Sequence, residues 1–512
     1  MEPLTLTRLA EVTGGRLAAG DPADDRQVGP DVVIDSRRVT PGALFVALAG
    51  ERVDGHDYLG AAAEAGAGAY LVQRIPDGLD DRITAACVVV DDPVAALGRL
   101  GRSVIDALPE LTVIGITGSS GKTSTKDLLA QLLADAGETV APEGSYNNEI
   151  GVPLTATRAD ASTRFLISEM GARGRGHISY LCELTPPSIG VVLNVGQAHV
   201  GEFGSRDAIA VAKGELVEAL PSDGWAVLNG TDSRVSAMAE RTSARVALFS
   251  AAGQPDQPAD LLVWADEPDA DDLDRYSFTL VVERKRAVGV ERKRAVGVEQ
   301  PGAEAQRHAV ALRLVGRHQV ANAVAAAAAA IVAGLDPAQV ATGLSAATSR
   351  SRWRMEVSER GDGVVVLNDA YNANPDSMMA ALESLAAMVR RRRHRPGFEQ
   401  ARGWAVLGEM LELGDTARAE HEAVGRAVGQ LGIDHLVALG ADAEAMVDAA
   451  RVAGCPDPVV AGETGEAIAR VRPEPGDLVL VKASRLMALE RVAEALLAAD
   501  PTDESGTRGA TE

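Results

Sequence analysis

Residues 115–126 read Gly-Ile-Thr-Gly-Ser-Ser-Gly-Lys-Thr-Ser-Thr-Lys. The apolar residues 111–116 that lead into this stretch predict a buried strand, and the apolar spacing of residues 123–136 predicts a helix after it. Glycines at positions 118 and 121 let the backbone approach an anion closely, and the first turn of the helix directs unpaired N–H groups at the same point. The order strand, glycine-rich loop, helix therefore predicts a phosphate-binding site.

Lys122 and Thr123 follow the second glycine, as they do in a nucleotide-binding P-loop. In such a loop the lysine reaches the terminal phosphates and the threonine hydroxyl is a ligand of Mg²⁺. The strict pattern G-x-x-x-x-G-K-[ST] is not met, because the position six before Lys122 is Ile116. A glycine- and serine-rich turn before an ordinary helix would explain the glycines, but not a lysine and a threonine directly after them. The stretch therefore predicts a shortened P-loop.

Length and charge set broad limits on the whole chain. Its 512 residues predict roughly three domains at about 100–200 residues each. The net charge of −23 opposes attraction to nucleic acid or an anionic membrane. Three widely separated cysteines have no disulfide or metal-ligand spacing, and neither a signal peptide nor an apolar run long enough to span a bilayer is evident. We therefore expect a cytoplasmic protein without membrane insertion or a nucleic-acid partner, and a monomer.

Polar residues follow two further predicted strands of the central segment. Residues 165–167 predict a strand with Glu169 at its end, and residues 189–193 predict one that is followed by Asn194 and, five residues later, by His199. Ligands of an open α/β sheet gather outside the carboxyl ends of its strands. Glu169 and His199 are therefore candidate Mg²⁺ ligands beside Thr123, although Mg²⁺ prefers oxygen to nitrogen. Taken singly, each is more often a loop or core polar group.

Three other polar residues of the central segment allow two interpretations from sequence alone. Lys213 lies on a predicted helix, where a surface or ion-paired lysine is the ordinary expectation. His318 and Asn322 are four apart at the start of a predicted alanine-rich helix, so they share one face. That pair is compatible with a buried polar contact or with a contact to a nucleotide base.

The N-terminal segment has its densest polar cluster at residues 35–56. Asp35-Ser-Arg-Arg follows a short apolar run, and Asp54-Gly-His begins a turn. Polar residues at strand ends suit a binding face. From the residues alone, surface turns explain the cluster better.

Strands and helices alternate in the last third of the chain, which predicts a parallel, doubly wound sheet. The predicted strands are 364–367, 404–407, 435–439 and 478–481, and the predicted helices are 377–389, 416–431, 441–452 and one from 485. The arginines at 390–393 predict a solvated helix end or loop. The octapeptide Glu-Arg-Lys-Arg-Ala-Val-Gly-Val occurs twice, at 283–290 and 291–298, and is interpreted as a duplication in a surface hairpin or loop.

These motifs resemble the Mur ligases, ATP-dependent ligases of bacterial cell-wall synthesis, over nearly the whole chain. The resemblance rests on the short P-loop at 117–123 and on the stretches 146–153, 198–205 and 369–378. It implies an α/β protein with three domains: a smaller UDP-sugar-binding domain at 1–109, a central P-loop ATPase-type domain at 110–349 and a Rossmann-like ligase domain at 350–500. The residues at 501–512 predict a disordered tail.

The resemblance also implies site residues. Implied ATP contacts are Gly118, Ser119, Ser120, Gly121, Lys122, Thr123, Ser124, Asn322, Arg354 and Asp369. Implied substrate contacts are Ser36, Arg37, Asp54, His56, Asn147, Asn148, Asn372 and Asn374. Implied catalytic residues are Lys122, Lys213, His199 and Glu169, and implied Mg²⁺ ligands are Thr123, Glu169, His199 and Lys213, the last if CO2 carbamylates it.

The resemblance is strongest to the family members that join D-alanyl-D-alanine to UDP-N-acetylmuramoyl-tripeptide through an acyl phosphate, with ATP and Mg²⁺. One alternative is a Mur ligase that adds the third residue, diaminopimelate or lysine, but its Asp-Asn-Pro-Arg stretch is absent. Folylpolyglutamate synthetase lacks a comparable N-terminal domain. An alternative from another functional class is a nucleotide-switched binding protein, but this would give the C-terminal domain no evident function.

Overall fold

The computed structural model describes residues 1–19, 26–50, 53–196, 203–284 and 305–499. Three features predicted from the sequence lie outside these ranges: His199, the repeated octapeptide from residue 285 onward, and the tail at 501–512. Glu283 and Arg284, the first two residues of the repeat, complete the strand Arg275–Arg284.

A five-stranded sheet forms the N-terminal part of the chain. Its order is Arg16–Leu17, Cys87–Val89, Ala69–Val72, Leu44–Val46 and Val32–Val33, with only the first pair antiparallel. The short strands Leu4–Thr5 and Gln27–Val28 pair separately. The helices of this part are Leu6–Thr13, Leu59–Glu64, Asp81–Ala85 and Pro93–Asp106, with 3-10 turns at Ser36–Arg38 and Gly55–Tyr58.

A nine-stranded sheet forms the central part. Its order is Gln306–Val315, Arg275–Arg284, Leu261–Ala270, Arg245–Ser250, Trp225–Asn229, Ile189–Val192, Thr112–Thr117, Thr163–Glu169 and Glu138–Val140. The first three strands are antiparallel to one another, and all later pairs, beginning with Leu261–Ala270 and Arg245–Ser250, are parallel. The helices are Lys122–Ala134, Gly151–Ala156, His177–Leu184, Arg206–Glu218, Ser233–Ser236, His318–Val332 and Pro337–Ala346, with a 3-10 turn at Ala237–Arg241.

The alanine-rich helix His318–Val332 is buried almost completely in this central part. Residues 323–330 are seven alanines and one valine with no exposed surface, and they pack in one core with Leu129 and Phe249. Small side chains let this helix lie close to both the sheet and the P-loop helix. The close approach brings the polar residues at the start of the helix to the glycine-rich loop.

A six-stranded sheet forms the C-terminal part. Its order is Glu356–Glu359, Val365–Asp369, Leu478–Lys482, Gly403–Leu407, His435–Ala438 and Asp457–Val460, parallel except at the first pair. The helices are Pro375–Arg393, Ala417–Gln430, Ala443–Val452, Thr464–Arg470 and Glu490–Ala498, with 3-10 turns at Gly414–Thr416 and Arg485–Met487. The strand Asp457–Val460 and the helix Thr464–Arg470 were not predicted. Asp457-Pro-Val-Val is short and contains a proline, which an edge strand tolerates.

The arginines at 390–393 form the last turn of a helix, as predicted, but the prediction that this turn is solvated is wrong for all of them except Arg390. Arg391 Nη1 lies 2.7 Å from Oδ1 of Asp274, whose side chain is only 2% exposed. Arg392 is buried over the ring of Phe398, and Arg393 donates twice to Asp434 at 2.9 Å. The run therefore fastens the helix Pro375–Arg393 to its surroundings, including the central hairpin that carries Asp274.

We expect Arg391→Met to destabilise the protein, because it leaves the Asp274 carboxylate buried without its cation. The free energy of unfolding should fall by about 2 kcal/mol, less than for a fully buried pair because Arg391 is partly exposed. Urea unfolding followed by circular dichroism measures the loss. Arg390→Met, at the exposed neighbouring position, is the matched control and should leave the midpoint unchanged; equal midpoints for both variants would contradict the expectation.

Candidate active site

The glycine-rich loop leaves the sheet at the carboxyl end of the strand Thr112–Thr117, and the helix Lys122–Ala134 follows it directly. Gly121 has a φ of +81°, and a Cβ built there would lie 2.3 Å from Oδ1 of Asn322. Only glycine fits this left-handed, crowded position. The Lys122 side chain turns back over the loop and donates from Nζ to the carbonyl of Gly118 at 2.7 Å.

Asn194 holds the loop from the neighbouring strand. The backbone N–H groups of Ser119 and Ser120 donate to its Oδ1 at 2.9 and 3.0 Å, and its Nδ2 donates to the carbonyl of Ser120. The sequence located Asn194 after a strand but assigned it no role. The signal that could have found it is its position at the carboxyl end of a strand next to the P-loop strand.

Glu169 ends the strand Thr163–Glu169 and is fully buried. Its Oε1 accepts a hydrogen bond from Asn147 Nδ2 at 2.9 Å, whereas its Oε2 has no partner among the described residues. An unpaired buried carboxylate oxygen is costly unless a cation or a donor joins it. Nearby, the Thr123 and Ser145 hydroxyls lie 2.9 Å apart. Oxygen donors of this kind suit Mg²⁺.

Lys213 projects from the helix Arg206–Glu218 into the same cavity and is only 4% exposed. The sequence alone suggested a surface or ion-paired lysine, and the structure contradicts this. No hydrogen bond or ion pair of its Nζ occurs within the described ranges. Burial lowers the pKa of Lys213 well below its ordinary value, and the positive charge of Lys122 lowers it further.

The C-terminal part supplies the opposite wall. Arg354 stacks on the ring of Tyr371 at 4.2 Å and donates from Nη2 to the hydroxyl of Ser145 at 2.8 Å. Asp369 Oδ2 lies 2.5 Å from Lys482 Nζ. Ser145, Tyr371 and Lys482 were not among the predicted site residues, because each reaches the site only through the packing of separate segments.

One cavity of about 410 Å³ collects most of the predicted site residues. The predicted residues that line it are Ser119, Ser120, Gly121, Lys122, Thr123, Ser124, Asn147, Asn148, Glu169, Lys213, Asn322, Arg354, Asp369, Asn372 and Asn374. His318 lines it too, and its buried Nδ1 has no partner among the described residues.

Two of the lining asparagines also have structural tasks that the sequence did not reveal. Asn148 Oδ1 accepts from the N–H of Gly151 at 2.8 Å, and Asn374 Oδ1 caps the helix Pro375–Arg393 by accepting from Ser377 N–H at 2.9 Å. Their oxygens are therefore already engaged, which leaves the amide nitrogens as the atoms available to a ligand.

A second, larger cavity of about 1190 Å³ is lined by the N-terminal part and by residues of the central part. Ser36 and Arg37 line it, and Arg37 hydrogen-bonds Asp35 and so lowers the pKa of that carboxyl to about 2. Asp54 and His56 do not line it. His56 is buried between Asp54, at 2.6 Å, and the N–H of Gln73, at 3.0 Å. This arrangement supports a structural role for the pair rather than the predicted contact with a UDP-sugar.

Comparisons with known proteins match three stretches of the chain, one in each of the three sheet-containing parts. Residues 116–330 match the Mur ligase middle domain, residues 353–485 match "Mur ligase, glutamate ligase domain", and residues 31–103 match "Mur ligase family, catalytic domain". UDP-N-acetylmuramoyl-tripeptide--D-alanyl-D-alanine ligase of Mycobacterium tuberculosis is 43% identical, over 98% of this chain and 99% of the relative. The chain belongs to the Mur ligase family.

Solved structures of Mur ligases extend the comparison. Crystal structure II of MurF from Acinetobacter baumannii has a TM-score of 0.78 at 28% identity and covers 98% of this chain and 100% of its own. MurF ligase from Thermotoga maritima in complex with ADP has a TM-score of 0.69 at 26% identity, covering 91% and 96%. The predicted three-domain α/β Mur ligase fold is thereby confirmed, and the chain is an ATP-dependent ligase.

The described residues contain neither a ready-made cluster of metal ligands nor a helix suited to span a membrane. No three His, Cys, Asp or Glu side chains are grouped as metal ligands there. Among the described residues, a cation at Glu169 would meet that carboxylate and the hydroxyl of Thr123, oxygen donors that suit Mg²⁺ bound to phosphate. No helix in the described ranges has the length and apolar character that a membrane span needs.

Proposed function

We propose that this Mur ligase joins D-alanyl-D-alanine to the terminal carboxylate of UDP-N-acetylmuramoyl-tripeptide, with ATP as the phosphoryl donor. The observation that carries the proposal is the 43% identity, over nearly the full length of both chains, to a ligase named for this reaction. Two adjacent cavities support it, because one can take a UDP-sugar and the other a triphosphate with a peptide end.

In the proposed reaction the peptide carboxylate attacks the γ-phosphorus of ATP, and ADP leaves. The amine of D-alanyl-D-alanine then attacks the resulting acyl phosphate, and phosphate leaves with one oxygen of the original carboxylate. Residues 118–124 hold the ATP phosphates, and Lys122 stabilises the charge that develops on the transferred phosphoryl group. Asn322 and Arg354 orient the nucleotide, with Asp369, Asn372 and Asn374 on the wall that closes over it and excludes water.

Mg²⁺ is part of the proposal, since the donor set of the cavity fits it. Thr123 and the unpaired Oε2 of Glu169 would hold the ion, and it would neutralise charge on the phosphates. His199, as a further ligand, remains a prediction from the resemblance. Ser36 and Arg37 are proposed to hold the UDP-sugar in the larger cavity. Asn147 and Asn148, which line the smaller cavity, are proposed to contact the peptide.

We propose domain boundaries close to residues 109 and 349, between the three sheets. A cytoplasmic location is also proposed. It is supported by three buried free thiols, Cys87, Cys182 and Cys455, which suit a reducing compartment. Action as a monomer is proposed as well.

Carbamylation of Lys213 is proposed on the family resemblance and on the buried setting of its amine. The neutral amine attacks CO2, a C–N bond forms, and a proton is lost, which turns a cation into a carboxylate-like ligand. Activity should then fall about tenfold or more in CO2-free buffer, as expected when a charged partner of a metal is removed, and return on addition of bicarbonate. A carbamate resonance from ¹³CO2, absent in Lys213→Arg, gives a readout independent of turnover. Full activity without CO2 and no such resonance would refute carbamylation.

The substrate assignment is tested by phosphate release from ATP in the presence of UDP-tripeptide. D-alanyl-D-alanine should stimulate release, and diaminopimelate or glutamate should not. Supplying UDP-tripeptides that end in diaminopimelate and in lysine identifies the third residue in the same assay. Stimulation by diaminopimelate or glutamate alone would place the chain elsewhere in the family.

A further inference from the structure

Residues 141–148, here called the bridging segment, form a wall between the two cavities. Glu143 and Tyr146 line the larger cavity, whereas Ser145 and Asn147 line the smaller one. The segment belongs to no helix or strand, so its backbone is not held by a ladder of hydrogen bonds.

The bridging segment also contacts all three parts of the chain. Arg38 of the N-terminal part donates to Glu143 Oε2 at 2.9 Å, and Arg354 of the C-terminal part donates to Ser145 Oγ at 2.8 Å. Within the central part, Asn147 donates to Glu169 and Ser145 lies beside Thr123. A shift of this segment would therefore be felt at both cavities.

The side chain of Lys126 anchors the bridging segment to the P-loop helix. It lies one turn after Lys122 on the P-loop helix, and its side chain is only 3% exposed. Its Nζ donates to the carbonyls of Pro142 at 2.8 Å and Gly144 at 3.1 Å, and it pairs with Asp127 Oδ1 at 2.7 Å. The donors of this buried amine are thus used on backbone and on one neighbouring carboxylate, and none is left for a ligand.

We propose that Lys126 is a positioning residue that holds the bridging segment in register with the P-loop, so that the UDP-sugar cavity and the phosphate cavity keep their geometry together. The inference rests on the proposed function, because the ligands of the two cavities, UDP-tripeptide and ATP, are those of the proposed reaction. Lys126 touches no ligand in this account, and it acts through Ser145, Tyr146 and Asn147.

The test compares Lys126→Met with wild type in three measurements. Methionine has a similar length but no donor, so the carbonyls of Pro142 and Gly144 lose their partner. We expect the Kd of UDP-tripeptide, by calorimetry without ATP, to rise about tenfold, and kcat to fall about tenfold, as for loss of hydrogen bonds from a charged donor. The Kd of ADP should stay unchanged, because residues 118–124 remain in place.

Arg164→Met is the matched control. Arg164 Nη1 donates to a backbone carbonyl, that of Ala136, just beyond the other end of the same helix, at 2.8 Å. It lines neither cavity, so its loss should change none of the three values. Lys126→Gln is one atom shorter than lysine and reaches at most one carbonyl. We expect intermediate values from it, and it replaces the methionine variant if that variant does not fold.

A folded Lys126→Met or Lys126→Gln variant with the wild-type Kd for UDP-tripeptide and the wild-type kcat would overturn the proposal. So would a lowered melting temperature as the sole effect, since that is what a merely structural lysine gives. The binding measurement needs no amine cosubstrate. If the enzyme ligates an amine other than D-alanyl-D-alanine, the proposed function is refuted, but the effect of Lys126 on UDP-tripeptide binding can still be tested.

Discussion

Lys122→Ala is expected to reduce ligation severely while leaving the binding of UDP-tripeptide nearly intact. Lys122 is the cation of the P-loop. Its Nζ donates a hydrogen bond to the carbonyl of Gly118, and its side chain lines the same cavity as Glu169. Burial lowers its pKa, and the charge of Glu169 opposes that shift. A ligand phosphate would replace the Gly118 carbonyl as its partner and would favour the charged form.

The expected loss in kcat for Lys122→Ala is about 10²–10³-fold, the usual cost of removing one stabiliser of transition-state charge. Phosphate release measures kcat, and calorimetry with UDP-tripeptide measures binding. The unchanged Kd in the larger cavity serves as the control for folding. Normal turnover by this variant would show that the loop does not serve phosphoryl transfer.

Glu169→Gln should have an effect of similar size for a different reason. Glutamine keeps the shape and the acceptor for Asn147, but it replaces the unpaired Oε2 by an NH2 group and removes the charge. We expect kcat to fall about 10²–10³-fold and the Mg²⁺ concentration for half-maximal activity to rise. Stability should hold or increase, because the substitution removes a fully buried charge, one oxygen of which has no partner among the described residues.

Glu149→Gln is the matched control for that substitution. Glu149 lies 20 residues before Glu169, is about one-third exposed and pairs with His177 at 3.2 Å. It lines neither cavity, so the same change of charge should leave kcat and the Mg²⁺ dependence unaltered. A Glu169→Gln enzyme with wild-type Mg²⁺ dependence would remove Glu169 from the proposed metal site.

The sequence predicted those features whose cause is local. The P-loop, the strand that ends at Glu169 and the alternation of the C-terminal part each follow from apolar spacing and glycine positions within a few residues of the feature. Most of their boundaries agree with the structure to within two residues, although the predicted helix 377–389 ends four residues before the observed helix Pro375–Arg393.

Features that depend on distant partners were missed or misjudged. Lys213 looks like a surface lysine until the helix Arg206–Glu218 packs against the sheet and buries it. Arg391 pairs with Asp274, which is more than 100 residues away in the sequence. The run of arginines, considered without that partner, predicted exposure to solvent. His56 was predicted as a ligand contact, yet its ring is occupied by Asp54 and Gln73.

The residues of the smaller cavity come from two separate parts of the chain. Lys122 and Glu169 lie at the carboxyl ends of neighbouring strands of the central sheet, Lys482 ends a strand of the C-terminal sheet, and Arg354 precedes that sheet. Local sequence patterns can identify each residue type, but only the packing of the parts determines which side chains share a cavity. The bridging segment, which no sequence motif singled out as structural, is the clearest case.

The central claim is that this site activates the peptide carboxylate as an acyl phosphate. The most direct test is ligation with UDP-tripeptide that carries ¹⁸O in its terminal carboxylate, followed by mass spectrometry of the inorganic phosphate. The account predicts one ¹⁸O atom transferred to phosphate for each peptide bond formed. Phosphate free of ¹⁸O during normal ligation would contradict it.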